Sequence, residues 1–137
     1  NYALDFDGVD DYLEIIDFKG ITGAASRTCA AWIKTGEVSD EILTWGTHVS
    51  NGRLWVIRVN EDGQLRTDVK GGNIIGSTLI NDNTWHHIAV VLENNGSTEI
   101  NEAKLYVDGL LDTISAVVDE PINTDFVDNV QIGVYAP

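Results

Sequence analysis

Asp5, Asp7, Asp10 and Asp11 crowd around the first turn signal of the chain, Asp7-Gly8. Hard cations such as Ca²⁺ take six to eight oxygen ligands, and a tight Asp-Gly turn brings carboxylates and carbonyls together. Asp7, Asp10 and Asp11 are therefore the candidate metal ligands, with Ca²⁺ as the candidate cofactor. The spacing is not that of an EF-hand, because no Glu closes a twelve-residue loop. The competing reading is a solvated hairpin whose aspartates cap turns. A second acidic group, Asp119, Glu120, Asp125 and Asp128, has the same two readings.

Aromatic side chains offer a different chemistry. Pyranose rings pack their apolar faces on exposed aromatics while polar neighbours hold the hydroxyls. Trp55 lies between Arg53 and Arg58, with Arg66 on the next apolar run. Arg53 shares the strand face of Trp55, and Arg58 points the other way. Trp55, Arg53, Arg66 and Tyr135 form the candidate ligand-binding set. Ile57 and Val59 share the face of Trp55, so a core role for it stays open.

Other constellations point away from catalysis and zinc. In Trp85-His86-His87 the two imidazoles fall on opposite strand faces and cannot hold one metal. One of them is expected inside the fold, bonded to a carbonyl or an aspartate. No His-x-x-x-His spacing exists, and His48 has no sequence partner for a zinc site. Retaining glycosidases place two carboxylates about 5 Å apart. Glu14 and Asp17, like Glu99 and Glu102, sit on opposite strand faces, and no third acid completes either pair. No Ser-His-Asp or Cys-His arrangement is present, and Cys29 reads as a small buried hydrophobe. The chain is expected not to be an enzyme.

The elements that must position these residues are strands. Apolar residues alternate at residues 2–6, 12–16, 28–34, 53–60, 64–69, 74–80, 103–107, 110–118 and 130–134. A short apolar run fills residues 41–45, and the strongest apolar run fills residues 85–93. Asn51-Gly52, Asp62-Gly63, Gly71-Gly72, Asn95-Gly96 and Asp108-Gly109 separate them with hairpin chemistry. Asn95-Gly96-Ser97 also fits a glycosylation acceptor. Helical periodicity is absent, so the prediction is an all-β fold.

Composition narrows the partners. In 137 residues, 22 acids face eight bases, for a formal net charge of -14. A surface this acidic repels phosphate backbones and anionic lipid, which argues against nucleic-acid binding and membrane docking. No apolar run approaches the roughly 18 residues of a membrane span. At 43% hydrophobic residues, a core forms, and the chain is expected to be one domain, residues 1–137. It begins at Asn1 and contains no Met, so it reads as a piece of a larger protein.

The opening Ala3-Leu4-Asp5-Phe6-Asp7-Gly8-Val9-Asp10-Asp11-Tyr12 resembles a laminin-G-like domain of the concanavalin A-like superfamily. Ala30-Ala31-Trp32-Ile33-Lys34-Thr35, Ile42-Leu43-Thr44-Trp45-Gly46 and Asn83-Thr84-Trp85-His86-His87-Ile88-Ala89-Val90-Val91 follow in the family's order. Leu105-Tyr106-Val107-Asp108-Gly109 and Val130-Gln131-Ile132-Gly133 complete the match. The resemblance implies a two-sheet antiparallel jelly-roll sandwich, adds weight to calcium, and places Trp32, Trp45 and Trp85 in the core. It also implies a final strand near the first, which this sequence does not show. A truncated fragment, a strand from a partner, or cover by a neighbouring segment would each account for that.

The expected function is a non-catalytic extracellular module, lectin-like or adhesive, that binds glycan or a protein partner with support from calcium. One alternative is a structural subunit of a filament or complex completed by a donated strand. Another is a glycoside hydrolase.

Overall fold

The computed structural model describes residues 2–96 and 98–133. Its strands are β1 (Leu13–Ile15), β2 (Arg27–Ile33), β3 (Glu41–Gly46), β4 (Leu54–Val59), β5 (Gln64–Val69), β6 (Gly72–Leu79), β7 (His86–Leu92), β8 (Lys104–Val107), β9 (Leu110–Leu111), β10 (Ile114–Val118) and β11 (Val130–Ile132). They form a seven-stranded sheet, β1-β11-β3-β4-β5-β6-β10, and a four-stranded sheet, β2-β7-β8-β9. Every pairing is antiparallel.

The hairpins follow from local chemistry. Asp108 and Gly109 both have positive φ, 52° and 80°, the geometry of a two-residue turn that matches strand twist. It joins β8 to β9. Asn60 caps the β4–β5 turn, its side-chain oxygen accepting from the backbone N–H groups of Asp62 and Gln64 at 3.0 and 2.8 Å. At Gly46, φ is 90° and an added Cβ would collide with the Arg53 carbonyl. Only glycine ends β3 there without strain.

Alternation along each strand sorts side chains between core and exterior. Trp55, Ile57 and Val59 of β4 and Leu65 and Val69 of β5 face Ile88, Val90 and Leu92 of β7 and Leu105 of β8, all in one buried cluster. Fully burying each such aliphatic stabilises by roughly 1.5–3 kcal/mol. At the rim the Arg27 guanidinium enters the core, 4.8 Å from the Trp55 ring centroid and 5.9 Å from that of Trp45.

The structure departs from the expected strands in two places. Residues 2–6 alternate like a strand but pair with nothing among the described residues, and the first strand is Leu13–Ile15. The single run 110–118 divides: β9 pairs with β8 in the small sheet, and β10 pairs with β6 in the large one. The crossing is fixed at Asp112, whose buried carboxylate accepts hydrogen bonds from the Ser77 and Thr78 hydroxyls at 3.1 and 2.8 Å.

Candidate functional site

The acidic turn after Phe6 gathers the three aspartates read from the sequence. One carboxylate oxygen each from Asp7, Asp10 and Asp11 lies within 4.8 Å of the others, and all three residues are exposed. Oxygens bound to one calcium at 2.3–2.6 Å lie at most about 5 Å apart, so the group fits the ion. The turn itself holds Asp7 in place. Its Oδ1 accepts from the backbone N–H groups of Val9 at 2.8 Å and Asp10 at 3.3 Å. These bonds hold the Asp7 carboxyl below the usual aspartate range and keep it ionised. The second acidic group does not converge. Asp125 pairs with Arg53 at 2.9 Å, Asp119 accepts from Asn101 at 2.6 Å, and Glu120 accepts from Asn51 at 3.1 Å.

The proposed aromatic platform is corrected. Trp55 is 0% exposed, so it has no face for a sugar ring. Its face of β4 is the one covered by the second sheet, and the ring packs on Trp45 with centroids 6.0 Å apart. Arg53 is engaged by Asp125 near the strand's start. Tyr135 lies outside the described residues. Arg66 points to the opposite side of the large sheet, away from Trp55, and there it enters a different constellation.

That constellation is the outer face of the large sheet. Arg66 sits opposite Arg58, Asp68 opposite Val56, and Thr44 lies between Val56 and Gln131 in register. Glu41 faces Arg58 across a bulge, with Oε1 accepting from Nη1 at 3.1 Å. Arg66 Nε donates to both Asp68 oxygens, at 2.9 and 3.0 Å. A cleft of about 190 Å³ opens here, its lining including His48, Arg58, Arg66, Asp68 and Lys70. Burial pushes the Glu41 carboxyl up to about 7, and it pushes Asp68 upward as well. Glu41 Oε2, Thr44 Oγ1, Arg58 Nε and Gln131 Oε1 are buried with no hydrogen-bond partner among the described residues. Such groups are costly unless something supplies the missing bonds. Sequence reasoning singled out only Arg66 of this set, because its members come from four strands whose shared face is set by cross-strand pairing, one of them, β11, far along the chain from the others.

Two facing antiparallel sheets in this order, with the loops that join them, are the frame against which known proteins can be compared. The family described as the concanavalin A-like lectin/glucanases superfamily, in its laminin G branch, matches residues 7–136. The chain belongs to this superfamily. Among solved structures, mouse laminin alpha1 chain, domains LG4-5, superimposes with a TM-score of 0.61 at 16% identity, covering 88% of this chain and 30% of that one. At that identity the likeness is one of fold. No curated protein matches the chain in sequence.

The laminin-G-like motif residues take positions that the sequence placed only in part. Trp45 is buried, whereas Trp32 and Trp85 are 65% and 50% exposed. The core role expected for those two is therefore corrected: they lie on or beside the small sheet's outer face, where no second layer covers them. His87 shares that face, its ring 5.3 Å from that of Trp32. His86 points the other way, as alternation requires. Its Nδ1 lies 2.8 Å from Asp108 and its Nε2 lies 3.2 Å from Asp82. The hydrogen bond to Asp108, with support from Asp82, raises the His86 pKa above its ordinary 6.5. A raised histidine pKa stabilises the fold below the unfolded value, and that contribution is lost as pH rises through the folded one. NMR titration should place His86 above 6.5, and Asp108→Asn should move it back down. An unshifted His86 would refute the pairing.

Proposed function

We propose that this chain is a non-catalytic extracellular module that binds carbohydrate on the outer face of its large sheet, with calcium held by Asp7, Asp10 and Asp11. The observation that carries this reading is the polar cleft on that face, lined by Arg58, Arg66, Asp68 and Lys70. Acceptors and donors are mixed in that set, and a sugar hydroxyl both donates and accepts. Membership of a superfamily described by lectins and glucanases supports the same ligand class. Fold alone does not assign it.

A glycan array followed by calorimetric titration tests the reading. Lys70→Ala, at the exposed rim of the cleft, should weaken the best ligand about five-fold. Arg58→Met and Asp68→Asn, in its lining, should each weaken it at least ten-fold. Silence on the array both with calcium and with chelator would overturn the proposal.

Calcium has its own readout. Extracellular sites have dissociation constants of about 10⁻⁴–10⁻³ M, so about 10 mM Ca²⁺ should stabilise the fold by about 1.4–2.7 kcal/mol. Asp10→Asn should abolish most of that gain in a urea titration. An equal gain in the variant would place the ion elsewhere.

A further inference from the structure

We propose that β10 is a docking edge for an extended segment of another protein, one with apolar residues at its centre and Lys or Arg at both ends. The inference stands apart from the sugar cleft and uses a different part of the molecule. β10 ends the large sheet on the side opposite β1 and β11. It pairs with β6, and no other strand pairs with it among the described residues. All five of its residues, Ile114 to Val118, are exposed. Its far side therefore offers backbone donors and acceptors to an added strand.

Edge strands are ordinarily protected by charge or proline. β10 reads Ile-Ser-Ala-Val-Val and carries neither. A bulge between Ile114 and Ala116 leaves Ala116, Val117 and Val118 in unbroken register with Ile75, Ile74 and Asn73. Behind the edge, the flank of the sandwich is apolar and open. Val117 lies opposite Ile74, which is 1% exposed, yet Val117 itself is 49% exposed. On β9, Leu110 lies opposite the buried Val107 and is 74% exposed. Residues directly opposite one another in an antiparallel pair share a face, so both side chains stand on the core side of their sheets and still meet solvent. A strand added to β10 would place its inward side chains against Val117 and toward Leu110.

Charge selects the occupant. From residue 105 to residue 120 the chain carries four acids, Asp108, Asp112, Asp119 and Glu120, and no Lys or Arg. Two of them precede β10 and two follow it directly, and Asp108 and Asp119 are exposed. Glu99 joins the second pair through its bridge to Pro121. Basic residues at both ends of an added strand meet these carboxylates, while its apolar centre meets Ala116 and Val117. A second copy of the chain fits worse. Two-fold antiparallel pairing about Ala116 would set residue 112 of each copy against residue 120 of the other, acid against acid, which costs affinity.

The test titrates the intact protein with a synthetic peptide, acetyl-Lys-Lys-Val-Thr-Val-Thr-Val-Lys-Lys-amide, and reads calorimetry, light scattering and amide hydrogen exchange. The expected result is saturable one-to-one binding, weakened by salt, in which exchange of the Ile114–Val118 amides slows at least ten-fold. The same peptide with Glu in place of Lys, or N-methylated on alternate residues, should bind at least ten-fold more weakly. Val117→Lys and Asp119→Lys, both at exposed positions, should each weaken binding at least five-fold, with the urea midpoint checking that each variant folds. No binding of the Lys-ended peptide would overturn the proposal, as would binding that leaves β10 exchange unchanged or that both variants retain in full. Equal affinity for the Lys-ended and Glu-ended peptides would overturn it too. A dimer of the free protein, lost in Val117→Lys, would assign the edge to a second copy instead. None of these outcomes bears on glycan binding.

Discussion

Replacing Arg27 by alanine is expected to lower the unfolding free energy by about 3–5 kcal/mol, because one buried and two partly buried hydrogen bonds to a charged donor are lost at once. Arg27 is 3% exposed and has no carboxylate partner among the described residues. Its Nη1 donates to Thr124 Oγ1 at 2.8 Å, its Nη2 to the Gly23 carbonyl at 2.8 Å and its Nε to the Ala25 carbonyl at 3.1 Å. Its guanidinium lies over Trp55, a contact worth about 2 kcal/mol when desolvated. Opposing these gains is the cost of burying a cation, which also pulls the Arg27 pKa down to about 10. The gains prevail because every edge of the guanidinium has a partner. Arg27→Met keeps the stem and much of the volume, so its loss should be smaller, about 2 kcal/mol. Urea unfolding measures both. A loss below about 1 kcal/mol in Arg27→Ala would mean that desolvation cancels the contacts.

Trp55→Ala is expected to cost about 3–5 kcal/mol while leaving glycan affinity at the outer face unchanged. The ring is wholly buried between Trp45 and the Arg27 guanidinium. Its removal leaves a cavity in the buried core, where partial collapse does not recover all the lost contacts. Because Arg27 and Trp55 touch, their losses should not add. A double-mutant cycle should return a coupling of about 1–2 kcal/mol. Trp55→Phe provides the functional control. Should it weaken a glycan ten-fold without moving the urea midpoint, Trp55 would regain the ligand role that its burial removes.

The acidic turn was legible in the sequence because everything that shapes it is local. Asp7 caps Val9 and Asp10, and Asp11 accepts from the Asp7 N–H at 3.2 Å. The strands were legible for a related reason. Period-two alternation and turn pairs such as Asp108-Gly109 depend only on near neighbours. Even the division of β4 into Trp55, Ile57, Val59 on one face and Arg58 on the other followed from alternation alone.

Alternation does not say which face is covered. Trp32 and Trp55 both sit on alternating strands, yet one is largely exposed and the other is sealed. The difference lies in where the second sheet packs, and that is set by long-range pairing. The outer-face cluster was hidden for the same reason. Glu41, Arg58 and Arg66 share that face through the β3, β4 and β5 pairings, and Gln131 joins it only because β11 pairs with β3. By itself, then, the sequence determined an all-β chain with an acidic turn that clusters Asp7, Asp10 and Asp11, since those features arise from interactions a few residues long. Which aromatic rings are core and which polar groups share the outer face were decided only by tertiary packing, which brings together residues from opposite ends of the chain.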